Sequence, residues 1–527
     1  MQSEKGIQSA VAKPKSNVSK TAGKEKTSIT KQEKLSPNDQ RKLNIKSQEK
    51  LEITKGMKSS LNKTNMAEQG NFDTSKQGKL NISKRGVGAS KPIKADIVGK
   101  NGRQMVLTPE EQDILAGKQG EVKAKMMRTL VEFGDIFGAK KLEKVTHSGH
   151  LVTSFGIGLL KPLYKTLDQI IASGLVAEKG FTVDPRPIDY KNVKCGLLEK
   201  LVFSKIIYSR QKLYEEQLSK IGLKNKDSFT CACYLPEVGN TPKFGDILSW
   251  AESSAVVYVN SVIGARCNRN SGMLDLFGSI IGKVPYYGLL TDEGRKADYI
   301  IKINTKKLPE AQLLGSAIGL RVMEKVPYVV GLDKFLGKDL NDEAIAYLKD
   351  FGAATASNGA VGLYHIDGLT PEAKKLGKQL IKSDAIVYEI DDAELEKVYK
   401  SYPMMWKKED MKPSMCFIGC PHLTFFQLKK WTKNIVAGLQ KSGLKRVQVN
   451  TIMTTPPQVL EKFKGTPEYA QLLATGCKLS SICPLMYTNN PLTHKKAIIT
   501  NSNKLRTYSK SRYYKDQEIL NIICGGK

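Results

Sequence analysis

Between residues 255 and 499 short apolar runs alternate with amphipathic stretches, and this alternation confines the chain to a layered α/β architecture. Residues 255–259, 328–330, 385–388, 415–418, 447–452 and 496–499 read as strands. Residues 273–281, 342–351, 391–399 and 425–441 read as helices, and 357–373 as a glycine-spaced strand, a polar turn and a capped helix. Strands separated by helices pair in mostly parallel sheets, several subdomains' worth over this length, with ligands expected beyond the strands' carboxyl ends. The folded part opens at Thr108-Pro109-Glu110-Glu111, where a capping threonine, a first-turn proline and two acids mark a helix start. Glycines 117 and 120 break that pattern before it resumes through Met126, Leu130 and Phe133.

Ahead of this body lies a segment of another kind. Residues 1–100 hold 22 basic and 9 acidic side chains and a single aromatic, Phe72. Such a stretch buries too little apolar surface to offset its ordering entropy, so residues 1–104 read as a disordered, Lys-rich arm and 105–527 as the folded domain. The formal net charge of the whole chain is +31. A basic arm can bind nucleic acid or another polyanion, but a basic body suits a small anionic substrate equally well. No apolar run reaches the roughly 18–20 residues of a membrane span, and the N-terminus lacks a signal-type apolar core, so a cytoplasmic protein is expected.

Nine cysteines without such a signal argue for reduced thiols rather than a disulfide framework. Three of them, Cys231, Cys420 and Cys483, sit in separate polar, turn-like segments. Brought together, three thiolates fall one short of a closed iron–sulfur site and leave a metal position open for a substrate. Cys420, in Gly419-Cys420-Pro421-His422, follows a strand and precedes a helix from about Thr424, a setting that lowers a thiol pKa. After Glu252-Ser253-Ser254, the run ending Asn260-Ser261 and Arg266 turns small and polar, with an arginine fork for carboxylate or phosphate. His365 is a candidate acid, base or orienting group, and Thr500-Asn501-Ser502-Asn503-Lys504 a candidate substrate-anchoring loop. The GxxxxGK[ST], HExxH and GxSxG patterns do not occur, which removes the commonest nucleotide, zinc-protease and hydrolase chemistries.

In order, these segments resemble the aconitase X family over roughly residues 105–525. The resemblance rests on the opening helix, Phe229-Thr230-Cys231, the stretch from Ala251 to Arg266, and Pro285-Tyr286-Tyr287-Gly288-Leu289. It continues through the His365 segment, Gly419-Cys420-Pro421-His422, Cys483 and Thr500-Asn501-Ser502. It implies an aconitase-like fold and an iron–sulfur hydro-lyase whose cluster, 4Fe-4S in preference to a smaller one, is held by Cys231, Cys420 and Cys483. Cys233 competes with Cys231, which falls on the family position. By the same resemblance Asn260, Ser261, Arg266, Ser502 and Lys504 contact the substrate. The catalytic base is expected on a small swivel-domain subunit, with His365 and Glu252 as the candidates within this chain. Mevalonate 5-phosphate is the implied substrate, with cis-3-hydroxy-L-proline as the alternative. The departure Cys267-Asn268-Arg269-Asn270, together with the charge, keeps a non-catalytic polyanion-binding reading in view.

Overall fold

The computed structural model of the chain describes residues 105–526, apart from Phe155, Lys194, Lys407, Glu409 and Asp410; the basic arm expected over residues 1–104 lies outside them. The described chain begins as its sequence dictates. Thr108 caps the helix Pro109–Leu115 in a reciprocal box: its hydroxyl accepts from Glu111 N (3.3 Å), and Glu111 Oε2 accepts from Thr108 N (2.8 Å). A second helix, Glu121–Ile136, follows the glycine break.

Two parallel sheets organise the remainder. One has the strand order Lys478–Ser480, Thr451–Thr454, Met415–Ile418, Ile498–Thr500, Arg512–Tyr513, with every pairing parallel. All four residues of its central strand Met415–Ile418 are buried, as a sheet covered on both faces requires. The other orders His365–Ile366, Pro327–Val330, Ala297–Ile303 and Ile381–Ile390, again all parallel. Helices Ala311–Val322 and Asp342–Gly359 pack against each other at close range, because a Cβ on Gly319 would stand 2.8 Å from Thr355 O. A two-stranded parallel pair, Gly149–Leu151 with Phe181–Val183, and an antiparallel pair, Leu142–Lys144 with Lys283–Pro285, complete the sheets among the described residues.

The α/β class and the mostly parallel pairing agree with the alternation in the sequence, but two expected strands are not strands. Residues 255–259 lie in the helix Ser253–Tyr258 and the wider turns Val259–Ile263. A run buried all round has no period that separates a strand from a helix, and the Glu252 cap decides it: Glu252 Oε2 accepts from Ala255 N at 2.6 Å. The glycine-spaced strand near 357 is instead the end of helix Asp342–Gly359, and only His365–Ile366 extends. The strands expected at 447–452 and 496–499 start later, as Thr451–Thr454 and Ile498–Thr500.

Candidate active site

Three loops at the carboxyl ends of one sheet supply most of the site. Cys420 follows the central strand; Cys483 follows Lys478–Ser480 and precedes helix Pro484–Thr488; Ser502 and Lys504 follow Ile498–Thr500. Gly419 makes the turn to Cys420 with φ 105°, and a Cβ there would lie 2.8 Å from Leu423 Cγ, so no other residue fits. The Cys420–Pro421 peptide is cis. Cys231 arrives from a different direction, after Phe229, which bridges to Val183.

His422 ties the three cysteine segments together. Its ring Nε2 lies 3.0 Å from Ile482 O, next to Cys483, and its Nδ1 lies 2.9 Å from Thr230 Oγ1, next to Cys231. Its backbone N–H donates to Cys231 Sγ at 3.4 Å. A carbonyl can only accept, so Nε2 carries the proton and Nδ1 accepts from the threonine hydroxyl. Burial pushes the His422 ring down to about 4, which keeps this neutral tautomer in place. The Cys483 N–H in turn donates to Arg186 O at 2.8 Å.

A thiolate at Cys420 would raise the thiol pKa of both Cys231 and Cys483, so the three share one electrostatic neighbourhood. Burial pushes all three up, Cys483 to about 12. The lowered Cys420 pKa expected from a helix start is therefore not found. The helix Phe425–Ser442 begins beyond its Thr424 cap, too far away to offset desolvation.

A buried ion pair stands beside the thiols. Lys504 Nζ pairs with Glu252 Oε1 and lies 3.5 Å from Ser254 Oγ. Glu252 Oε2 accepts from Ser254 Oγ at 2.7 Å. Burial opposes the Lys504 charge, but Glu252, then Cys420, Asp184 and Cys231, hold the ammonium well above its ordinary range. Burial also pulls the Glu252 carboxyl up, but Lys504 overcomes it and keeps the carboxyl below its usual value. Ser502 caps helix Asn503–Tyr508 by accepting from Leu505 N at 3.1 Å, and its hydroxyl donates to Cys420 O.

Sequence reading missed two neighbours of this pair, Asp184 and His150. Asp184 follows strand Phe181–Val183; its Oδ1 lies 3.4 Å from His150 Nε2, whose Nδ1 meets Thr182 Oγ1 at 2.8 Å. Burial pushes the Asp184 carboxyl up to about 6, with His150 pulling the other way. The available signal was an acid closing the short apolar run Phe181-Thr182-Val183 directly before Pro185.

Four expected site residues are engaged elsewhere. The Asn260 side chain donates to Cys267 O and Gly362 O (2.8 Å each) and accepts from Cys267 N (2.9 Å) and Arg295 Nη1 (3.2 Å), which exhausts its amide. Ser261 Oγ accepts from Tyr364 N at 2.9 Å. Arg266 spends its guanidinium on Leu290 O (2.8 Å) and on exposed Asp292. His365 lies against Arg295 O (2.8 Å) and Glu372 (3.9 Å). Burial pushes the His365 ring down to about 4 from an ordinary 6.5. With the folded value depressed, the unfolded chain takes up the proton first as pH falls. The histidine's contribution is therefore whole above pH 6.5 and is lost towards pH 4, about 3 kcal/mol in all. His365→Gln should flatten the decline in stability between pH 6.5 and 4.5 measured by urea unfolding; parallel curves for the two proteins would refute this.

Among the described residues, no three His, Cys, Asp or Glu side chains are gathered as ligands of one metal ion. An iron–sulfur cluster takes one thiolate per iron and so accepts ligands that stand further apart, and the donor set here, three thiols from three loops beside a buried ammonium, suits it. The first, second and third domains of aconitase X match residues 104–293, 297–400 and 413–521. This chain belongs to the aconitase X family. The phosphomevalonate dehydratase large subunit of Thermococcus kodakarensis is 33% identical over 62% of this chain and 76% of its own length. That of Methanosarcina mazei is 30% identical over 80% of this chain and 98% of its own. The crystal structure of Thermococcus kodakaraensis aconitase X in its holo-form superimposes with a TM-score of 0.66 at 28% identity, over 80% of this chain and all of that one. A cis-3-hydroxy-L-proline dehydratase of Hypocrea jecorina is 26% identical over 67% of this chain and 56% of its own. The chain is thus an enzyme of a dehydratase family, and among its described residues no helix is long and apolar enough to cross a membrane.

Proposed function

We propose that this chain is the large, cluster-bearing subunit of a phosphomevalonate dehydratase, removing water from mevalonate 5-phosphate to give anhydromevalonate 5-phosphate. The observation that carries this reading is that His422, two residues after Cys420, ties the segments of Cys231 and Cys483 to its own, beside the buried Lys504–Glu252 pair. Its similarity to large subunits spanned almost whole supports the substrate and the division into two chains. We assign residues 105–527 to the catalytic domain, leave 1–104 outside it, and place the swivel domain on a second chain. All nine cysteines are free, which suits the reducing cytoplasm.

The three thiolates would hold a cluster, of the 4Fe-4S kind, with one iron left open. When bound, that cluster supplies a Lewis acid for the departing hydroxyl. This chain's own residues set the charge around it. Lys504 offsets the negative charge of the thiolates and offers N–H donors to a substrate carboxylate, while Ser502, whose hydroxyl donates to Cys420 O, holds the Cys420 loop against the last strand's loop. Glu252 keeps the ammonium charged and aimed. Held below the usual carboxylate range, Glu252 is a weak base, so it orients and does not abstract the proton. The base that removes the proton alpha to the carboxylate then comes from the small subunit.

The test is an anaerobic assay of the chain with its swivel-domain partner on mevalonate 5-phosphate and on cis-3-hydroxy-L-proline. Dehydration of the first alone is the expected result. Turnover of the hydroxyproline alone would reassign the substrate, and turnover of neither by a cluster-loaded pair would overturn the reading.

A further inference from the structure

The segment Leu197–Ile207 presents an unusual face to solvent. It runs as a helix, Leu197–Val202, continued by the wider turns Phe203–Ile207. Leu197 is 90% exposed, Leu198 68%, Leu201 56% and Ile206 41%. Four large aliphatic side chains on so short a stretch form an apolar patch that a free surface rarely carries.

The opposite face is fixed to the active site. Phe203 packs on Tyr487, with ring centroids 6.3 Å apart, and Tyr208 Oη donates to Met486 O at 3.0 Å. Glu199 pairs with Lys496 at 2.7 Å. Tyr487 and Met486 belong to helix Pro484–Thr488, whose cap is Cys483. The exposed leucines therefore ride on the outside of the element that walls the Cys483 side of the site.

We infer that the patch of Leu197, Leu198, Leu201 and Ile206 is the docking surface for the swivel-domain subunit that completes this active site. The inference rests on the proposed function above. A subunit that delivers a base to the thiol cluster must sit at the rim of that cluster. This apolar face stands on the segment that packs against helix Pro484–Thr488, the helix capped by Cys483, and an apolar centre is what such an interface buries. The relatives also fit: the chain spans a large subunit almost whole, but only part of a dehydratase that carries further sequence on the same chain.

The anaerobically purified chain would be titrated with the swivel-domain subunit encoded in the same genome. Leu197→Glu/Leu201→Glu should weaken the complex about a hundredfold or more, while Ile136→Glu, at another exposed aliphatic position, should leave it unchanged. Hydrogen exchange on the unaltered chain gives a second reading independent of any substitution: amides 197–206 should gain protection on complex formation. A complex indifferent to the double substitution, with no new protection there, overturns the docking surface alone. Should the double substitution instead convert a dimer of this chain to monomer and spare the small subunit, the patch belongs to a second copy and the inference fails. If the unaltered, cluster-loaded chain forms no complex at all, the two-chain reading fails along with it.

Discussion

Replacing Lys504 with methionine should cost the fold about 3–5 kcal/mol, because the substitution leaves the Glu252 carboxylate buried without its partner. Glu252 is only 2% exposed, and once the ammonium is gone, only Ser254 Oγ and Ala255 N remain as donors to its second oxygen. Removing both charges together is a milder change. A Lys504→Met/Glu252→Gln chain should recover most of the lost stability, as buried pairs exchanged for neutral residues commonly do. Activity separates these variants from a purely structural pair: the double variant should regain stability without regaining dehydration, since the donor to the substrate is absent. The measurement is urea unfolding of the single and double variants under anaerobic conditions. A single variant within about 1 kcal/mol of the unaltered chain would show that Glu252 finds another partner and that the pair does not organise the site.

The second large effect belongs to His422. His422→Leu keeps the bulk of the side chain but strips the donor to Ile482 O and the acceptor of the Thr230 hydroxyl. Each buried group left unpaired costs about 1–3 kcal/mol, and here the two groups flank two of the three proposed cluster ligands. The loss should therefore fall on the cluster as well as on the fold. His422→Gln, which can still donate to one carbonyl, should lie between leucine and histidine. The check is iron retained per chain after gel filtration, across the three proteins. Equal retention in all three would mean that the loops are positioned independently of this ring.

How far the sequence could be read depended on whether each signal was local. Met415–Ile418 appears with its bounds intact because four apolar residues between polar turns, followed by a capped helix, leave one interpretation. The run 255–259 misled because its residues are buried on every side and carry no period, so the decision passed to a single capping carboxylate three residues upstream. Within the candidate site, the shared placement of Cys420, Ser502 and Lys504 could be expected because strand ends in a parallel sheet point their loops the same way, whereas the short strand Lys478–Ser480 before Cys483 was not read from the sequence. Asn260 and Arg266 had the chemistry of ligand groups, yet the partners that consume them, Arg295 and Asp292, come from distant parts of the chain that no local pattern connects to them. Asp184 and His150 are the converse case: their importance lies in a contact across 34 residues, and neither segment announces it alone.

The central claim is that Cys231, Cys420 and Cys483 hold an iron–sulfur cluster. Its most direct test is iron and sulfide analysis with visible absorption, on the anaerobically purified chain and on Cys420→Ser. A brown protein with matching iron and sulfide, whose colour is lost or becomes labile on substitution, is the predicted result. A colourless chain that also fails to take up a cluster on anaerobic reconstitution, or a colour indifferent to Cys420→Ser, would contradict it.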